Sequence, residues 1–188
     1  MSKQISSKFS RRVFIKSLLA LALSFSFSFT PFFTKQALAK QRSRKLSFYH
    51  THTGKNLSIT YHDGQRFIKP ALEEINQFLS DFRTGERYPI DTRLLDALYL
   101  LQQSTTSDDK FEVISAYRSP KTNQQLRSKS KNVAKRSLHT QGKAIDIRLR
   151  GVKTKKLQQL AKSLKIGGVG YYKRSNFIHL DTGRVRYW

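Results

Sequence analysis

Two periodicities alternate along this chain, and the alternation limits the folds open to it. LSFYH (46–50), LSITYH (57–62), FEVISAY (111–117), KAIDIRL (143–149) and NFIHLDT (176–182) read as strands of apolar residues broken at short intervals by polar ones. The first two flank a turn around Thr53-Gly54-Lys55, so they form a hairpin. Between the strands lie stretches of helical period. Pro70 opens one, with Leu72, Ile75, Phe78, Leu79 and Phe82 on one face. Asp91 caps a second, with Leu94, Leu95, Leu98 and Leu101. A third covers Lys121 to Ser130, and a fourth carries Leu157, Leu160, Ala161 and Leu164. Strands and helices in mixed order predict an α+β domain, a small antiparallel sheet flanked by helices. Gly167-Gly168-Val169-Gly170 reads as a flexible turn and matches a phosphate-cradling loop poorly.

The domain does not begin at residue 1. Ser10-Arg11-Arg12-Val13-Phe14-Ile15-Lys16 precedes an apolar run from Leu18 to Phe33, and Ala37-Leu38-Ala39 follows. A charged start, an apolar middle and small residues at the end make an export signal. The paired arginines resemble those of the twin-arginine route, which carries folded proteins across a bacterial inner membrane. Lys16 and Lys35 bracket a stretch just long enough to span a membrane. Alternating Ser-Phe pairs weaken it as an anchor, and cleavage after Ala39 is expected. Residues 1–39 are therefore the signal, and 40–188 form a single domain with no integral membrane segment left after cleavage.

Composition narrows the chemistry. Cysteine is absent, which excludes disulfides, thiolate metal sites and a cysteine nucleophile. The formal net charge is +24, from 36 Lys and Arg against 12 Asp and Glu, and it reads either as a well-solvated basic surface or as the mark of an anionic partner such as nucleic acid, a membrane or a cell-wall polymer. Export argues against nucleic acid. The carboxylates of peptidoglycan, or another anionic envelope surface, remain.

A metal in this chain would need His, Asp or Glu ligands. His50, His52 and His62 lie close together, but no carboxylate is spaced to join them, and they read as surface or turn-capping residues. His139 and Asp146 in SLHTQGKAIDIRL, with His179 in FIHLD, are a different case. His179 and Asp181 are two apart in a strand and share a face. Two imidazoles and one carboxylate, with a position left for water, make a catalytic zinc site.

Ser137-x-His139-x-x-Gly142-x-Ala144-x-Asp146 resembles the SxHxxGxAxD signature of the zinc peptidases that include D-Ala-D-Ala dipeptidases, D,D-carboxypeptidases and murein endopeptidases. Ser115-Ala116-Tyr117-Arg118-Ser119 is similar to the strand end that precedes it in that group. The stretch from Gly167 to Trp188 is similar to exported murein endopeptidases of the MepK (YcbK-like) type, and the likeness runs from about Leu46 onward. The resemblance implies one Zn²⁺ per chain, held on the sheet by His139, Asp146 and His179. It implies that Arg118 binds a substrate carbonyl or carboxylate and steadies the oxyanion. Ser137 would support the site, and Gly142 would allow the tight path between ligands.

One position departs from the pattern. Many relatives carry a general-base Glu three residues before the last ligand, where this chain has Asn176. Asp181 is then open to two roles, as the base or as the group that accepts a ligand's ring N–H. The resemblance implies a periplasmic endopeptidase cutting diaminopimelate–diaminopimelate (3-3) cross-links in peptidoglycan, and 4-3 links besides. The alternatives are a metal-containing peptidoglycan binder without activity, and a D,D-carboxypeptidase or dipeptidase.

Overall fold

The computed structural model describes residues 42–130 and 133–188. The export signal expected in residues 1–39 lies outside them. Among the described residues no helix is long and apolar enough to cross a membrane.

Seven strands make one sheet: β1 (Arg44–His50), β2 (Asn56–His62), β3 (Phe111–Ser115), β4 (Ala144–Leu149), β5 (Gly168–Tyr172), β6 (Phe177–Asp181) and β7 (Arg186–Tyr187). Their order is β2-β1-β3-β4-β6-β5-β7. The α+β class holds, but the sheet is neither small nor purely antiparallel. β1 pairs β3 in parallel, and β5 pairs β7 in parallel. The first parallel pair has a plain cause. Between β1 and β3 the chain makes β2 and two helices, α1 (Lys69–Phe78) and α2 (Thr92–Gln103), a crossover long enough to return a strand in the same direction.

A second correction concerns Gly168-Val169-Gly170. These residues are not a flexible turn but the start of β5, paired antiparallel with β6. Glycine hides a strand from a reading based on side-chain alternation, because it has no side chain to alternate. β7, two residues long, was too short to read at all.

The helices begin as the sequence predicts. Pro70 sits in the first turn of α1. The Asp91 carboxylate accepts from Arg93 N–H at the start of α2, 3.0 Å away. α3 (Pro120–Lys129) starts at Ser119, whose hydroxyl accepts from Thr122 N–H. The first helix ends earlier than expected: Leu79 is its C-cap, which leaves Phe82 beyond it. α4 (Thr154–Ser163) buries Leu157 and Ala161.

The core lies on one face of the sheet. Leu46 and Phe48 of β1, Phe111 and Val113 of β3, Ile145 and Ile147 of β4, and Ile178 and Leu180 of β6 pack there with Ile75, Leu94, Leu98 and Leu101. β4 is buried along almost its whole length on both faces. With Ile145 and Ile147 turned to the core, strand alternation sends Ala144 and Asp146 to the opposite face. In β6 the same rule sends Ile178 and Leu180 inward and His179 and Asp181 across. This second face carries the site.

Candidate metal centre

The register aligns four strands at one row. Ser115 of β3 pairs with Asp146 of β4, Asp146 with His179 of β6, and His179 with Gly170 of β5. Side chains opposite each other on neighbouring strands are close enough to touch. Asp146 Oδ1 and His179 Nδ1 are 2.9 Å apart.

His139 comes from a different element. It sits in a 3₁₀ turn, Leu138–Gln141, that opens at Ser137 and closes at Gly142. Gly142 has φ +63°, and a Cβ there would lie 2.2 Å from the Pro89 carbonyl oxygen. Only glycine fits both conditions. The turn folds His139 over the sheet, where its Nε2 lies 3.2 Å from His179 Nδ1 and 3.4 Å from Asp146 Oδ1. The three side chains expected as ligands are thus brought together, all buried.

The donor set fits a divalent cation. Zinc–ligand bonds of about 2.0–2.1 Å at tetrahedral angles put neighbouring ligand atoms roughly 3.3 Å apart. The three separations are 2.9, 3.2 and 3.4 Å. Each imidazole is also held from behind. His139 Nδ1–H donates to the Ala116 carbonyl at 2.7 Å, and His179 Nε2–H donates to Asp181 at 2.9 Å. With those protons placed, His139 Nε2 and His179 Nδ1 turn their lone pairs to the same point.

Charge leads to the same conclusion. Burial alone would lower the His179 pKa, but hydrogen bonds to Asp146 and Asp181 outweigh it and push it up to about 9. Burial would raise the carboxyl of Asp146, yet His139 and His179 hold it well below the usual carboxylate range. Two carboxylates beside two imidazoles call for positive charge.

Of the two roles open to Asp181, its contacts fit the orienting one. Its side chain is fully buried. It accepts from His179, from Gly168 N–H and Gly183 N–H, and from both terminal nitrogens of Arg186 at 3.0 and 2.7 Å. Those donors occupy both oxygens. Asp146 is the one carboxylate lining the adjoining cavity among the described residues. Asn176 is not part of that lining. It occupies the turn into β6 with φ +51°, a conformation asparagine tolerates well, and its amide oxygen accepts from Thr154.

Arg118 stands at the Ser115 end of the row. Its backbone is pinned: Arg118 N–H donates to the His139 carbonyl, and Ser119 N–H donates to the buried Asp81. The guanidinium makes only long contacts, 3.4 Å to Ser115, 3.5 Å to Asn123 and 3.8 Å to Asp146, and its Nε has no partner among the described residues. Burial pulls its pKa down, and Asp146 pushes it back up. A cation with under-used donors is ready for an incoming oxygen. Ser137, also expected at the site, is buried, lines the cavity and holds Thr140 through its carbonyl.

Sequence reasoning missed Arg186, Asn123 and Trp188. Arg186 clamps Asp181, Asn123 ties Arg118 to the Ala134 carbonyl, and Trp188 walls the cavity. Arg186 and Trp188 lie on or beside a strand too short to read. Asn123 looked like any polar residue of a helix.

Known proteins resemble this chain along most of its length. The family model described as peptidoglycan L,D-endopeptidase MepK matches residues 38–188. The chain is 40% identical over 176 residues to the peptidoglycan L,D-endopeptidase MepK of Escherichia coli K12, covering 92% of this chain and 96% of that one. It is 40% identical over 148 residues to the probable peptidoglycan L,D-endopeptidase MepK of Haemophilus influenzae, covering 78% and 80%. No solved structure gives a significant match. With the family model spanning the whole described domain, the chain belongs to the MepK family of the M15-type peptidases.

Proposed function

We propose that this protein is a zinc-dependent peptidoglycan endopeptidase of the periplasm, exported by the twin-arginine route, that cuts diaminopimelate–diaminopimelate (3-3) cross-links and also accepts 4-3 links. The observation that carries the reading is the convergence of His139 Nε2, Asp146 Oδ1 and His179 Nδ1 beside the under-used guanidinium of Arg118. The names of the relatives support peptidoglycan as the substrate.

His139, Asp146 and His179 would hold one zinc ion. Bound there, the ion would supply acidification of water and polarisation of a carbonyl. The chain's own groups do the rest. Ala116 O and Asp181 fix the tautomers of the two imidazoles. Arg118 donates to the substrate oxygen on which negative charge grows, and its rigid fork suits that task better than a lysine. Ser137 shapes the wall next to His139. The basic surface draws in the carboxylates of the peptide stems.

The test is mass spectrometry of cross-linked muropeptides after incubation with the purified protein, with and without a chelator. Chelator-sensitive cleavage is expected, and His139→Ala should remove both zinc and activity. Full cleavage by a zinc-free His139→Ala protein sinks the proposal. A second reading, a binder without activity, draws on Asn176 and on a cavity whose single lining carboxylate among the described residues, Asp146, would already serve as a ligand. Muropeptide binding with no product would favour it.

A further inference from the structure

The row of paired residues that carries the metal donors does not stop at His179. Its next member is Gly170, which has no side chain. The vacancy has an occupant. A Cβ on Gly170 would lie 2.6 Å from ring atoms of Trp188, so the indole takes the place a side chain would have had. Trp188 is brought there by β7. Its N–H donates to the Val169 carbonyl, and its carbonyl accepts from Tyr171 N–H. The ring is then locked from its edge, where Nε1–H donates to the Tyr172 hydroxyl. The Arg186 guanidinium lies 4.9 Å from the ring centroid.

So fixed, the indole lies 5.3 Å from the His179 ring and walls the cavity of about 560 Å³. It is nonetheless 49% exposed. A tryptophan held on several sides and still half-open beside a reactive centre offers a rigid apolar surface at small entropic cost. At the other end of the row stands Arg118. The row thus presents an anion-binding group on one side of the metal donors and an apolar wall on the other.

We infer that Trp188 is a specificity-determining residue, the wall against which the aliphatic side chain of a diamino acid packs on the His179 side of the scissile bond. The inference rests on the endopeptidase reading. A peptide lying along the row would place an oxygen on Arg118 and its methylene chain on the indole. Methylene groups gain by leaving water for such a surface. A short side chain would leave the indole wet and gain nothing from it.

The single tryptophan of the chain makes the test direct, since its emission reports this position alone. Titrating the zinc-loaded protein with a muropeptide whose stem ends in diaminopimelate should shift that emission saturably. The same muropeptide with alanine in that place should not. In cleavage assays Trp188→Ala should raise KM about tenfold and leave kcat within about twofold, with zinc content unchanged. Trp188→Phe should recover most of the loss. A purely structural role would instead lower kcat or zinc content and would ignore the substrate side chain. An unmoved emission, or equal KM for wild type and Trp188→Ala, overturns the inference. If Trp188→Ala fails to fold, the wild-type titration and Trp188→Phe decide. Absence of any cleavage product is read separately and counts against the endopeptidase reading itself.

Discussion

Histidines gather at two ends of the sheet, and among the described residues only one of these groups joins a carboxylate in a cluster that could hold an ion. At the β1–β2 end, His50 and His62 are buried and their Nδ1 atoms accept backbone N–H groups of their own turns, from His52 at 3.3 Å and Gly64 at 3.1 Å. Their rings pack on Phe78, Phe82 and Phe67. Among the described residues, none of their hydrogen bonds reaches a carboxylate. At the β4–β6 end, His139 and His179 meet Asp146, and a carbonyl and a second carboxylate hold them from behind. The difference lies in register rather than in the number of histidines. The hairpin lines up serine with serine and leucine with phenylalanine, whereas β4 and β6 line up an aspartate with a histidine. Electrostatics follows the same division. Burial, then the neighbouring His52, lowers the His50 pKa, while carboxylates raise that of His179.

The largest expected effect breaks the comparison outright. His139→Ala and Asp146→Ala should each drop bound zinc from one ion per chain to background and abolish muropeptide cleavage, since each removes one of the three proposed ligands. Replacing His50, His52 and His62 together should leave zinc content and cleavage close to wild type in whatever fraction folds. Metal analysis alongside digestion reads both arms. Zinc lost from the triple variant would show that the hairpin histidines take part after all.

A smaller effect tests how the ligand is held. Asp181→Asn keeps the shape but gives the His179 ring N–H a weaker acceptor and leaves Arg186 without its anion. Removing such a partner costs about 10–100-fold in metal affinity or activity. Competition with a chromophoric chelator measures it. If the loss instead reached that of His139→Ala, Asp181 would be doing more than orienting the ring.

Much of this was legible in the sequence, and the limits have physical causes. Apolar spacing marked three of the four helices, and polar residues at one face of an apolar strand marked His179 and Asp181. His139 and Asp146 stood out through the company of Arg118 before them and His179 after them, whereas the crowding of Gly142 against Pro89 shows only in the fold. β5 escaped because Gly168 and Gly170 have no side chains to alternate and make room instead for Arg186 and Trp188. Parallel pairing escaped because it depends on where a crossover lands. The choice between the roles of Asp181 needed its five donors, four of which, one each from Gly168 and Gly183 and two from Arg186, come from residues that the strand pattern did not name.

The smallest effect sharpens the contrast from the hairpin side. His50 has a folded pKa below the ordinary 6.5, chiefly through burial and then through His52 and Lys55. The folded state therefore resists a proton that the unfolded chain accepts. Stability from this source is fully present above pH 6.5 and falls as the pH drops from there toward the folded pKa. His50→Asn cannot take up that proton. It should cost about 1 kcal/mol or more near neutrality, through lost packing on Phe78 and Phe82. It should also flatten the fall in Tm just below pH 6.5 relative to wild type. Thermal unfolding of both proteins at a series of pH values decides the matter. Parallel curves would mean that His50 is as easily protonated in the fold as out of it, and the two histidine groups would then differ in their ligands but not in their electrostatic setting.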